Sequence, residues 1–233
     1  MIRISPSPSR RTNAALLGLV VAAACSRTTP GAAQPAQTAA RQSDLAAIAK
    51  ARADSARRPY TAADVHFMSG MIGHHAQAIV MARWAPTHGA SASVLTLAGR
   101  IINAQTDEIA LMQQWLRDRQ QAVPEPSPTG GAVKMMMNGM EHEMLMPGML
   151  SDAQMKQLDA AIGSDFDGLF LRFMIQHHRG ALDMVKDLFS SPGAGQDDLV
   201  FKFAAAVNVD QTTEIARMER MLAAITLGIN PPQ

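Results

Sequence analysis

Cysteine is nearly absent from this chain. Cys25 is the only one in 233 residues, so no internal disulfide can form. Aromatic residues make up 4% and β-branched residues are sparse, which argues against a large β-sheet core. Ala, Met, Leu, Gln and Arg dominate instead and favour helices. Excess charge is missing too: the formal net is +1. Setting aside Arg3, Arg10 and Arg11 leaves 18 basic against 20 acidic residues, which provides no electrostatic footprint for nucleic acid. The apolar stretch Ala14–Ala24, "AALLGLVVAAA", is too short to span a bilayer. What the chain has in quantity is methionine, 17 in all. Met1 is the initiator; the others need a reason.

Residues 1–25 read as a secretion signal. Arg3, Arg10 and Arg11 form a basic start, Ala14–Ala24 supplies the apolar stretch, and "VAAAC" places Cys25 directly after it. This resembles a bacterial lipoprotein signal, with Cys25 lipidated and becoming the mature N-terminus. It departs from that pattern at Ala22, where such signals usually carry Leu. Ordinary cleavage at the A-x-A pattern is the alternative. Residues 26–58 are expected to be a flexible tether, "SRTTPGAAQPAQTAARQS" through Ser43, followed by a short helix from Asp44.

Two long helices are predicted in residues 59–121. The first begins at Thr61, with Thr61 as N-cap and Asp64 at the third helical position, and is closed by Pro86 and Gly89. The second runs from Ser91 to about Gln121, with Leu95, Ala98, Ile101, Ile102, Gln105, Ile109, Met112 and Leu116 as its buried stripe. A short link makes them an antiparallel hairpin. Residues 122–150 break the pattern and read as a Met-rich linker loop. Residues 151–230 hold a short helix, capped by Ser151 and Gln154, and two further long helices.

The chain repeats itself. Asp64, Phe67, Met71, Ile72, His74, His75, Ala78 and Met81 recur 103 residues later as Asp167, Phe170, Met174, Ile175, His177, His178, Ala181 and Met184. Gln105, Thr106, Glu108, Ile109, Ala110, Met112 and Leu116 recur 106 residues later as Gln211, Thr212, Glu214, Ile215, Ala216, Met218 and Leu222. One αα-hairpin cannot bury its apolar face alone. Two of them predict an all-α four-helix bundle with a pseudo-two-fold axis.

The repeated residues are soft-metal donors. Met71 and His75 lie one turn apart on one helix face, about 5–6 Å between Cβ atoms, so thioether and imidazole can meet one ion. His74 points about 100° away, which argues against both rings serving one site. Met112 can complete the set from the partner helix, and Met174, His178 and Met218 mirror the arrangement, with His177 in the place of His74. Met81 and Met184 stand on the flanks. Glu108 and Glu214 can hydrogen-bond a ligand histidine across the hairpin, or simply face solvent. Thioethers select Cu(I), or silver by analogy, and imidazole suits copper. The Glu-x-x-His pattern of di-iron bundles is absent, as is the zincin motif. Taken singly, each methionine has core packing as its rival explanation.

The linker adds Met135, Met136, Met137, Met140, His142, Met144, Met146 and Met149. They lack helical periodicity and fit a flexible metal collector; the rival is a lid over the bundle.

Two copies of "F-x-x-x-M-I-x-H-H-x-x-A-x-x-M", each followed by "Q-T-x-E-I-A-x-M", resemble the domain-of-unknown-function 305 family of secreted bacterial proteins. The resemblance covers about Thr61–Leu116 and Met146–Leu222. It implies a ferritin-like bundle of two helical hairpins, with the His-His pairs functional and copper binding or resistance in some members. It falls on Met71, His74, His75, Met81, Met112, Met174, His177, His178, Met184 and Met218.

The expectation is a bacterial envelope protein, periplasmic or lipid-anchored to a membrane. It would bind copper as Cu(I), with a copper-handling protein as partner and no catalytic step. An enzyme such as a cuprous oxidase would need an open coordination position and turnover. A metal-free interaction module would use the same residues to contact another protein.

Overall fold

A computed structural model describes residues 35–56, 59–137 and 140–228. The signal segment 1–25, Cys25 and the first part of the tether lie outside them. Side chains of Met136 and Met137 lie outside as well. Among the described residues no helix is long and apolar enough to cross a membrane.

Helix α1, Pro35–Ala56, begins earlier than Asp44, where the sequence suggested. Pro at a first helical position followed by Ala, Gln and Arg favours this, even without large apolar residues. Its residues 41–50 are exposed.

The bundle is built from α2 (Ala62–Trp84), α3 (Ala92–Asp118), α5 (Ser164–Ser190) and α6 (Asp198–Thr226), with a short α4 (Asp152–Asp159) before α5. α2 pairs with α3, α5 pairs with α6, and α2 packs on α5. The fold is thus a ferritin-like four-helix bundle of two antiparallel hairpins. Thr61 caps α2 as expected: its hydroxyl accepts from the Asp64 N–H at 3.3 Å, and Asp64 Oδ2 accepts from the Thr61 N–H at 2.7 Å. Ser151 and Gln154 form the same reciprocal cap on α4.

The stripe of α3 is rotated from the predicted one. Val94, Leu97, Ala98, Ile101, Gln105, Met112, Trp115 and Leu116 are buried, whereas Leu95 is 39% exposed. Trp115 accounts for part of this: its indole N–H donates to Asp197 Oδ1 at 3.1 Å, anchoring α3 to the start of α6.

Asp64 and Asp167 do more than start helices. Asp64 Oδ1 accepts the Gly195 N–H, from the turn between α5 and α6, at 2.7 Å. Asp167 accepts the Ser91 N–H, from the turn between α2 and α3, at 3.2 Å through each oxygen. Each hairpin's aspartate therefore holds the other hairpin's turn.

The linker is not all loop. β1 (Val133–Met137) and β2 (Met140–Met144) form an antiparallel hairpin, pairing Val133 with Met144 and Met135 with His142. It folds onto α2, whose middle is buried on every side from Phe67 to Ile79. Gly73 has no side chain because Val133 occupies that space. The strand then runs on as a strap, Met146–Leu150, across both hairpins. Gln77 grips it: its amide N–H groups donate to Gly130 O (2.6 Å) and Leu150 O (3.0 Å), and its carbonyl accepts the Leu150 N–H (2.6 Å). On α5 the backbone of Pro147 and Gly148 lies where a Cβ of Gly180 would be.

Candidate metal centre

The two His-His pairs converge. All four rings are buried, His74 at 1% exposure and His75, His177 and His178 at 0%. His74 and His177, from α2 and α5, stack with centroids 3.7 Å apart. His75 lies 6.2 Å from His74, and His178 lies 6.3 Å from His177, between centroids. Neighbouring rings on one helix thus stand apart. The contact across the helix pair is what joins the two copies.

Each outer histidine meets a carboxylate of its own hairpin. His75 Nε2 is 2.7 Å from Glu108 Oε2, and His178 Nε2 is 2.7 Å from Glu214 Oε2. Of the two options read for these glutamates, Glu214 makes the hydrogen bond to a histidine across its hairpin, and Glu108 lies close to one. His74 Nε2 is 3.1 Å from the Pro147 carbonyl of the strap. A carboxylate or carbonyl oxygen can only accept, so the hydrogen bonds of His74 and His178 place the proton on their Nε2 atoms, while His75 Nε2, though close to Glu108, makes no hydrogen bond. The Nδ1 atoms of His74 and His178 are then lone pairs, and neither has a hydrogen-bond partner; His75 and His177 have no hydrogen-bond partner on either nitrogen. Buried polar atoms are nearly always satisfied. These nitrogens are free to act as donors to a ligand. Gln105 and Gln211, one turn before Glu108 and Glu214, also have buried carbonyl oxygens without partners. The repeat marked these amides, but their apolar neighbours concealed a polar role.

Burial first, and then the charge of the neighbouring histidines, holds the pKa of His74 and His177 well below the ordinary 6.5. The rings are neutral near neutral pH, the form that binds metal. Asp210, exposed on α6, has its carboxyl raised by partial burial and by Glu108 and Glu214. Both glutamates thus act on the same point at the bundle's flank, a relation the sequence reading missed because Asp210 has no repeat partner.

The methionines divide by cluster. Met71 and Met112 lie fully buried in one apolar cluster, joined by Met184 from the other hairpin. Met174 and Met218 lie fully buried in the second, joined by Met81. The flanking methionines therefore cross over. Among the described residues no three His, Cys, Asp or Glu side chains are grouped to hold an ion by themselves.

The linker methionines separate into two kinds. Met135, Met146 and Met149 are buried in the core at 4%, 3% and 6% exposure. Met149 Sδ also accepts the Met146 N–H at 3.3 Å. Met140 and His142 face solvent and Met144 is half-buried. Part of the linker is thus a packed lid, and only part is free to collect anything.

A bundle of two helical hairpins around a buried histidine cluster is the class of protein that this geometry defines. The family model for a domain of unknown function, DUF305, matches residues 64–222, and the chain belongs to that family. No curated protein matches. Among solved structures, a Streptomyces coelicolor DUF305 protein, described as secreted, is 27% identical over 73% of this chain and 96% of its own, with a TM-score of 0.58. A DUF305 fragment from Deinococcus radiodurans is 28% identical over 71% of this chain and 99% of its own, TM-score 0.57. CopM in its Cu(II)-bound form is 25% identical over 69% of this chain and 95% of its own, TM-score 0.52. It has also been solved in a silver-bound form.

Proposed function

We propose that this protein binds soft metal ions outside the cytoplasm, Cu(I) foremost and Ag(I) by the same chemistry, and buffers them, confers resistance or passes them on. The observation that carries this is the set of buried imidazole nitrogens without partners at the centre of the bundle. His74, His75, His177 and His178 would supply nitrogen, and Met71, Met112, Met174 and Met218 sulfur. Glu108, Glu214 and Pro147 would fix the ring tautomers, as carboxylates and carbonyls do for ligand histidines elsewhere. The likeness to CopM, seen with Cu(II) and with silver, and to a relative described as secreted, supports the metal and the location. Attachment to a membrane through Cys25 and delivery to a copper-handling partner belong to the same reading. Catalysis is not part of it; oxygen consumption with Cu(I) as substrate would reverse that point.

The test is a Cu(I) titration against a competing chelator, on wild type and on the double variant His75→Ala, His178→Ala. Loss of at least tenfold in affinity is expected. Unchanged affinity would remove the bundle site.

A further inference from the structure

The repeat is broken at one place, and the break leaves a cleft. His66, Gly70 and Asp187 line or border a cleft of about 100 Å³ between the start of α2, the end of α5 and the strap. Shifting each to its partner in the other copy gives Leu169, Phe173 and Trp84, all partly buried and packed against the second apolar cluster. One side of the bundle is thus filled with hydrocarbon, and the other is opened by a glycine and edged with an imidazole and a carboxylate.

Two methionine side chains approach this gap, one by its sulfur and one by its methyl carbon. Met146 Sδ lies 2.6 Å from the point where a Gly70 Cβ would stand, and Met184 Cε 3.3 Å from the same point. Both residues line the cleft and both are nearly buried, at 3% and 6% exposure. His66 stands one turn before Gly70 on the same face of α2, and Asp187 three residues after Met184 on α5. His66 and Asp187 are exposed at the mouth. The volume exceeds what one water needs. Pro147 forms part of the wall, and its carbonyl is the group that holds His74.

We infer that His66, Met146 and Met184 form a second, outer site for a soft monovalent cation, a loading station separated from the central histidines by Pro147. One nitrogen and two thioethers suit Cu(I) or Ag(I) and suit hard cations poorly, while Asp187 draws positive charge to the mouth. The inference rests on the soft-metal reading of the bundle above. It adds a route: the ion enters where the repeat has opened, not from the acidic flank.

Silver ion is the probe, titrated into the full chain with methionine methyl and histidine ring resonances followed by NMR. Shifts of the Met146 and Met184 methyls together with the His66 ring are expected, and they should persist when His75 and His178 are both alanine. His66→Ala, a change at an exposed position, should lower the silver stoichiometry by one ion per chain and leave the central rings responsive. Shifts confined to the central histidines would overturn the outer site and leave the bundle site standing. Silver binding that leaves the His66 ring unmoved would also overturn it. No response from any histidine would sink both.

Discussion

His74 and His177 stand on different hairpins, and their rings stack 3.7 Å apart between centroids. The contact makes the two copies of the motif parts of one centre. Binding at one histidine must then depend on the other. A double-mutant cycle on Cu(I) affinity, with His74→Ala, His177→Ala and the pair, should show losses that do not add, with a coupling of about 0.5–3 kcal/mol, the range for residues in contact. Strict additivity would return the molecule to two separate sites.

If the bundle binds metal as proposed, Glu108 and Glu214 act on its affinity through the rings beside them. Glu108→Gln or Glu214→Gln keeps the shape but can present an amide donor where His75 or His178 needs an acceptor. Removing such a partner costs roughly 10–100-fold in metal affinity. Each variant should lose about that much Cu(I) affinity while its thermal midpoint without metal moves little, because both glutamates are part-exposed. Equal affinity in wild type and variants would mean that the carboxylates only solvate the flank.

Acid should destabilise the metal-free protein through the central pair. His74 and His177 have folded pKa values well below 6.5. Below about 6.5 the unfolded chain binds protons that the folded one refuses, so stability falls as pH falls, until the folded values are reached. Each ring contributes up to about 1.4 kcal/mol per pH unit in that window. Urea midpoints between pH 7.5 and 5.5 should show this slope, and His177→Gln should reduce it. By the same sign, protons compete with Cu(I) at these two rings only below the window's lower end.

Much of the architecture was legible in the sequence because periodicity and caps are local. Thr61 with Asp64, Ser151 with Gln154, and the two motif offsets placed the helices and the duplication. The spacing of Glu108 against His75 made their pairing readable as one of two options. The stacking of His74 on His177 was not readable, since it depends on the axial offset between α2 and α5, which no helix encodes in its own residues. The linker hairpin was hidden for another reason: in "KMMMNGMEHEM" methionine serves both faces, so alternation of apolar and polar is erased. The Asn-Gly between the two runs was the remaining hint of a hairpin. His66 escaped notice because its significance lies in what its repeat partner, Leu169, is not.

The paired aspartates predict a cross-hairpin effect on folding. Asp64 accepts from Gly195 and Asp167 from Ser91, and both carboxylates are buried. Asp64→Ala leaves the buried Gly195 N–H without its acceptor and removes the reciprocal half of the α2 cap, at about 1–3 kcal/mol for the unmet donor alone. Hydrogen exchange should quicken at the α5–α6 turn in Asp64→Ala and at the α2–α3 turn in Asp167→Ala. Faster exchange only within each aspartate's own hairpin would show that the exchange of contacts between hairpins carries no stability.

Gly180 decides whether the strap can close over the histidines. A methyl there would collide with the Pro147 carbonyl and the Gly148 backbone, and backbone cannot step aside as a flexible side chain can. Gly180→Ala should lower stability by about 1–3 kcal/mol, the usual cost of forced overpacking, although alanine favours a helix more than glycine does. The displaced strap would carry the Pro147 oxygen away from His74 Nε2, and with it the constraint on that ring's tautomer. The ring nitrogen resonances of His74 should then report a mixture of tautomers where wild type shows Nε2–H alone. A stabilised Gly180→Ala protein with an unchanged His74 ring would mean that helix propensity outweighs the contact and that the strap is free to ride on α5.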